Sequence, residues 1–235
     1  VRQLRHALVI SCEHGGNTVP PRYRPLFARH RTLLESHRGF DRGALTMARA
    51  LAQAFAAPLV AATTTRLLVD LNRSIGHPQL YSRVTRGADA ALRREILERH
   101  YHPHRQRVES LVNEAIASGR PALHLSCHSF TARLGDLERN ADVGLLYDPA
   151  RREEAALCMA WQRELRILAP GLRVRRNYPY LGRTDGFTSW WRRRHPDSVY
   201  LGIELELNQS TMVRPRARER RAQLIKALAR VLSAR

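Results

Sequence analysis

Lysine is almost missing from this chain: Lys226 is the single lysine among 40 basic residues, and the rest are arginine. Against 21 acidic residues the formal charge is +19, which first suggests nucleic acid or an anionic surface as a partner. A genome that favours arginine codons explains the skew equally well, so charge alone does not establish a nucleic-acid binder. Cysteine is also scarce. Cys12, Cys127 and Cys158 are odd in number and lack CxxC spacing, which excludes a disulfide framework and a cysteine zinc site and makes a reducing cytoplasm the expected compartment. No apolar run approaches the ~18 residues of a membrane span, and the opening VRQLRHALVI has no cleavage-site pattern, so a soluble, unexported protein is expected. Neither a repeat nor a low-complexity linker divides the 235 residues, and one domain over residues 1–235 is the simplest organisation. With 43% hydrophobic residues the chain can bury a substantial core.

Strand-like and helix-like segments alternate. Ala7 to Cys12 (ALVISC) reads as a buried strand that stops at Glu13-His14-Gly15-Gly16. Helical spacing runs from Gly43 to Phe55, followed by a strand pattern at Leu59 to Thr63 and another at Arg66 to Leu71 (RLLVDL). Ala88 to Ala117 is helical in pattern, with Pro103 expected to interrupt it. Ala122 to Cys127 and Val143 to Tyr147 read as strands, Arg152 to Leu168 as a helix, Val199 to Leu207 as the last strand and Arg216 to Leu232 as a terminal amphipathic helix with its arginines outward. This order predicts an α/β fold with helix layers around a mixed, mainly parallel sheet. Ligands of such sheets bind at the carboxyl ends of the strands, and there the chain has Glu13-His14, Asn72-Arg73, His128-Ser129 and Glu206.

His14 and His128 each follow a buried-strand pattern directly. Two imidazoles delivered from separate strand ends hold a zinc ion if a carboxylate completes the set, and a catalytic zinc keeps a further position open. A plain reading of each as a hydrogen-bonded loop histidine competes with this.

Seven segments in order then resemble the N-formylglutamate amidohydrolases, a family similar in fold to zinc carboxypeptidases and aspartoacylases. They are LVISCEHGGNTVP (Leu8 to Pro20), FDRGA (Phe40 to Ala44), RLLVDLNR (Arg66 to Arg73), HLSCHSF (His124 to Phe130), DVGLLYD (Asp142 to Asp148), NYPYLGRTDG (Asn177 to Gly186) and IELELNQ (Ile203 to Gln209). The similarity spans roughly residues 7 to 212. It implies a three-layer α/β/α fold similar to the zinc exopeptidases and one zinc ion per chain.

The chain departs from the His-x-x-Glu pattern of carboxypeptidase-type sites, because Asn17 stands three residues after His14. The remaining ligand must come from elsewhere. Asp41 opens a helix within a shared block and is assigned with His14 and His128; the competing reading makes it an N-cap. Glu13 is the alternative ligand, although adjacent residues on an extended chain point to opposite faces. The resemblance gives Glu206 the role of the glutamate that takes a proton from water in zinc peptidases and returns it to the leaving nitrogen. Glu204, two residues earlier, is read as a structural partner to an arginine. The resemblance makes Asn72 and Arg73 the pair that holds a substrate carboxylate, with Arg183 a second cation for an acidic substrate. His100, His102 and His104 suggest a second metal site only if their segment were a strand, and the pattern around them is helical. Trp190-Trp191 before Arg192-Arg193-Arg194 reads as an apolar anchor with a basic, solvated helix end.

These readings converge on a zinc-dependent amidohydrolase acting on a small acidic acyl-amino acid. N-formyl-L-glutamate is the substrate that the resemblance implies, giving formate and glutamate in histidine breakdown. A related zinc amidase with another acyl-amino acid substrate is one alternative, since Glu-His-Gly-Gly stands here where several relatives have Pro-His-Ser-Gly. A non-enzymatic anion or nucleic-acid binding protein is the other.

Overall fold

A computed structural model of the chain describes residues 4–212 and 216–234. Its eight strands are β1 (Ala7–Cys12), β2 (Leu59–Ala61), β3 (Ala122–Phe130), β4 (Arg133–Leu134), β5 (Leu137–Glu138), β6 (Val143–Leu146), β7 (Val174–Arg176) and β8 (Tyr200–Asn208). Six of them form one sheet in the order β2-β1-β3-β8-β6-β7, and β4 and β5 make a separate two-stranded hairpin. All pairings in the large sheet are parallel except that of β8 with β6. The fold is α/β with a mixed, mostly parallel sheet.

Side chains alternate across a strand, so register decides which residues share a face. Parallel pairing sets Ser11 beside Ser126 and His128 beside Glu206. The antiparallel neighbour sets Gly144 opposite Glu206. One face is apolar: Leu8, Ile10, Cys12, Leu123, Leu125, Cys127, Leu201, Ile203, Leu205 and Leu207 pack with Met47 and Leu51 of the Ala44–Phe55 helix, Trp161 of the Arg152–Leu168 helix and Leu224 and Leu228 of the Ala217–Ser233 helix. Each fully buried aliphatic side chain contributes about 1.5–3 kcal/mol there. The other face begins apolar at Ala7, Val9, Ala122 and Tyr200, under the His102–Ala117 and Phe187–Arg192 helices. Toward the strand ends it turns polar.

Three expectations change. Arg66 to Leu71 is a loop of turns, not a strand. Leu67, Leu68, Val69 and Leu71 are nonetheless buried, in a separate cluster with Tyr23, Phe27, Ile96 and Tyr101. The helix does not break at Pro103: Ala90–Ile96 runs through a wide π turn, Leu97–Tyr101, directly into His102–Ala117. Pro103 occupies the second position of that last segment, where a missing N–H and a ring need accommodation and the wide turn provides it. β7 is an additional edge strand whose Arg-rich sequence carries no apolar alternation.

Candidate active site

The chain leaves β1 at Cys12 and turns at once, so that Glu13 and His14 are both buried beside the end of β3. Glycine at positions 15 and 16 is required by packing: a Cβ would come within 2.9 Å of the Ala62 carbonyl at Gly15 and 2.6 Å of the Thr63 carbonyl at Gly16. Asp41 lies two residues ahead of Gly43, whose left-handed backbone (φ 86°) starts the Ala44–Phe55 helix without a side-chain cap. The Asp41 carboxylate is therefore not an N-cap. Its own N–H donates to the His14 carbonyl at 2.9 Å, which ties the two loops together.

His14, Asp41 and His128 converge. Asp41 Oδ2 lies 3.3 Å from His14 Nδ1 and 2.9 Å from His128 Nδ1. One ligand atom from each of the three residues lies within 4.8 Å of the others, and among the described residues this is the group able to hold a metal ion. The far nitrogen of each imidazole is backed by a carboxylate: His14 Nε2 donates to Asp70 Oδ1 at 2.8 Å, and His128 Nε2 lies 3.2 Å from Glu13 Oε2. Carboxylate-backed imidazoles with their other nitrogens turned to a common point are how proteins orient histidine ligands. Arg66 closes the ring, donating to Asp41 Oδ1 (3.2 Å) and to Asp70 Oδ2 (2.6 Å).

The electrostatics follow from this packing. Burial works against the Asp41 carboxylate, but His14, His128 and Arg66 outweigh it and hold it well below the usual range. Asp70 is likewise held down against burial by Arg66 and His14. Burial alone would lower the His128 pKa; Asp41 and Glu13 reverse this and push it well above its ordinary value. Two carboxylates, Asp41 and Asp70, share the Arg66 guanidinium. Two imidazole nitrogens with one carboxylate oxygen are donors suited to zinc. The residues present fit such an ion.

Glu13 does not join this group. The turn after Cys12 brings it to the opposite edge of the His128 ring, where Ser126 Oγ also donates to it at 2.6 Å and His104 Nε2 lies 3.5 Å away. Asn17 points elsewhere, its amide donating to the Leu34 carbonyl. Glu206 is buried, with Oε2 lacking a hydrogen-bond partner. Burial raises its carboxyl to about 8, with Asp41 and Glu204 adding to the rise and His128 and Arg66 opposing it. Glu204 accepts from Thr188 Oγ1 at 2.9 Å; its partner is a threonine, not an arginine. Deeper on the same face, His124 is pushed down to about 4, first by burial, and stays neutral between Ser11 and Tyr200.

Asn72 and Arg73 are half-buried on the loop after Asp70. Asn72 Oδ1 accepts from the Phe187 N–H, and Arg73 Nη1 donates to the Asp185 carbonyl, so this loop is clamped to the segment that carries Arg183. Arg183 itself is exposed. His100 and His102 are half-buried on a helix and only His104 reaches the site's surroundings, through Glu13. The solvated reading of the tryptophan-arginine segment fails at Arg192, which is buried and paired with Glu154 at 3.0 Å; Arg193 and Arg194 are exposed. Asp70, Arg66 and His104 are the members that motif reasoning left unassigned. An acid flanked by Leu67, Leu68, Val69 and Leu71 was itself a signal, since a buried carboxylate needs partners.

No helix among the described residues is long and apolar enough to cross a membrane. A search of curated proteins finds no match. Among solved structures, the gene product Atu2144 from Agrobacterium tumefaciens is 27% identical, covers 98% of this chain and 92% of its own, and superposes with a TM-score of 0.83. An N-formylglutamate amidohydrolase from Ralstonia eutropha JMP134 is 21% identical over 97% of this chain and 92% of its own, with a TM-score of 0.69, a likeness of fold. The N-formylglutamate amidohydrolase family model matches residues 6–213, the whole sheet and every residue of the buried group, and the chain belongs to that family.

Proposed function

We propose that the protein is a metal-dependent amidohydrolase that cleaves the amide of a small N-acyl amino acid, with N-formyl-L-glutamate, hydrolysed to formate and L-glutamate, as its substrate. The observation that carries this reading is the convergence of His14 Nδ1, Asp41 Oδ2 and His128 Nδ1 with both far imidazole nitrogens backed by carboxylates. His14, Asp41 and His128 would hold one zinc ion. Zinc, when bound, supplies Lewis acidity that polarises an amide carbonyl and makes water acidic near neutral pH.

Glu206 handles the proton. As a carboxylate it takes one from the attacking water while oxygen adds to the acyl carbon, and Oε2, free of other hydrogen bonds, is the atom available for it. As the C–N bond breaks, the same proton goes to the leaving amine, yielding a carboxylic acid and a free amino acid. Its raised pKa suits a group that must both accept and return a proton near neutrality. Asn72 and Arg73 bind a substrate carboxylate, and Arg183 lies on the neighbouring exposed loop. Activity in the cytoplasm, within histidine breakdown, belongs to the same proposal, and family membership favours it over a non-enzymatic anion or nucleic-acid binder. The test is metal content together with hydrolysis: about one zinc per chain in protein purified without added metal, and release of formate from N-formyl-L-glutamate that stops on chelation and returns with zinc. Protein that hydrolyses the substrate equally well with and without metal overturns the mechanism.

A further inference from the structure

His104 reaches toward the site from the His102–Ala117 helix, at the head of a buried stripe that continues through Val108, Leu111, Val112 and Ala115 against the sheet. A histidine in an apolar stripe needs a polar partner. Its Nε2 faces Glu13 Oε1 at 3.5 Å, and neither atom has another hydrogen-bond partner. The second oxygen of the same carboxylate is shared. Ser126 Oγ donates to Glu13 Oε2 at 2.6 Å, and His128 Nε2 lies 2.9 Å from Ser126 Oγ and 3.2 Å from Glu13 Oε2. All four side chains are buried.

Counting protons fixes the imidazole. A serine hydroxyl has one proton, and Ser126 directs it at Glu13, so toward His128 it offers only a lone pair. The Glu13 carboxylate is an acceptor too. With acceptors on both sides, His128 Nε2 must carry a proton, and the lone pair of the neutral ring is left on Nδ1, the nitrogen turned toward Asp41. That is the tautomer a metal ligand at this point requires.

We propose that His104 is a positioning residue that acts through Glu13: by engaging Oε1 it holds the carboxylate against Ser126 and His128, and so sets the tautomer and orientation of the His128 ring. The inference rests on the zinc reading of His14, Asp41 and His128 and adds what keeps one of those ligands ready to bind. Without His104, Glu13 Oε1 is a buried carboxylate oxygen with no partner, and the carboxylate turns to regain one. Ser126, released from Glu13, then donates to His128 Nε2, which leaves the ring proton on Nδ1 and closes that atom to a metal.

The experiment reads zinc affinity by chelator competition and the His128 ring N–H by NMR of the zinc-loaded protein. His104→Ala should bind zinc about tenfold more weakly, and Glu13→Gln about 10- to 100-fold. His104→Gln, whose amide N–H reaches the same oxygen, should return to within about threefold of wild type. In the Glu13→Gln background, His104→Ala should add less than about threefold, because its effect passes through the carboxylate. A slowly exchanging Nε2–H signal from His128 is expected in wild type and in His104→Gln. It should be lost in His104→Ala and in Glu13→Gln alike, so that either variant decides the test if the other does not fold. Wild-type affinity in His104→Ala, no recovery in His104→Gln, effects of the two substitutions that add in full, or an unchanged His128 signal each overturn the proposal. A wild-type protein that retains no zinc overturns it together with the functional reading, whereas zinc held equally by wild type and His104→Ala leaves that reading standing.

Discussion

On one side of β3 and β8 stand Leu123, Leu125, Leu201, Ile203 and Leu205; on the other stand His124, Ser126, His128, Glu204 and Glu206, all of them buried. The same two strands, read at odd and even positions, build a hydrophobic core and a titratable one. Their energetics run in opposite directions. The apolar face gains from every side chain it removes from water. The polar face loses solvation at each, recovers it through partners such as Thr188 for Glu204, and at Glu206 recovers little. Apolar burial is concentrated on one side of the sheet and the proposed chemistry on the other.

Breaking the polar face at a proposed ligand should have the largest effect. His128→Ala is expected to lower both zinc retention and hydrolysis by orders of magnitude while leaving the circular-dichroism spectrum unchanged; zinc occupancy equal to wild type would remove His128 from the ligand set. Glu206→Gln should retain zinc and lose about 10²- to 10⁴-fold in kcat, and a loss under tenfold would pass the proton-transfer role to Glu204 or another group. On the apolar face Leu125→Ala should cost about 2–5 kcal/mol in urea unfolding. The remaining folded protein should still bind one zinc, and loss of zinc from that fraction would mean the two faces are not separable. Asp70→Asn leaves the ligands in place but removes the charge behind His14, and a competition titration with a chelator should show about 10- to 100-fold weaker zinc binding.

The smallest effect concerns stability and pH. The Glu206 carboxyl in the folded protein titrates near 8, well above an ordinary glutamate. Between the two values the folded state keeps its proton while the unfolded chain gives it up, so this group withdraws stability as pH rises through that window. Metal-free Glu206→Gln should therefore be more stable than the metal-free parent by about 1–3 kcal/mol at pH 8, with the difference closing toward pH 5. A gap that is the same at both pH values would mean that Glu206 is not held protonated.

How far the sequence carried this picture differs between elements. β1 and the Arg152–Leu168 helix coincide with their patterns because burial there follows the period of the backbone itself. Arg66 to Leu71 misled because its leucines and valine are buried from a loop, anchored by Thr65, Ser82 and Thr85 hydroxyls, and apolar content alone does not separate that from a strand. For the site, alternation put His128 and Glu206 at strand ends, but only register shows that they are neighbours. Asp70 and Arg66 escaped assignment because their role depends on partners 25 to 56 residues away, His14 and Asp41 among them. The contact of Glu13 with the His128 ring was not legible for another reason: it depends on the turn after Cys12, which strand alternation does not describe.

The strand order has a consequence for how the protein is made. All three proposed ligands, residues 14, 41 and 128, are synthesised by the time β3 is complete, yet β8, the strand that lies between β3 and β6, follows only after β6 and β7 have been made. Until then the two halves of the sheet have no common neighbour, β3 and β6 each present an unpaired edge, and the glutamate assigned to proton transfer does not exist in the chain. The nascent protein therefore carries its whole proposed ligand set before it carries its proposed base, and the event that joins the sheet is the same one that completes the proposed site.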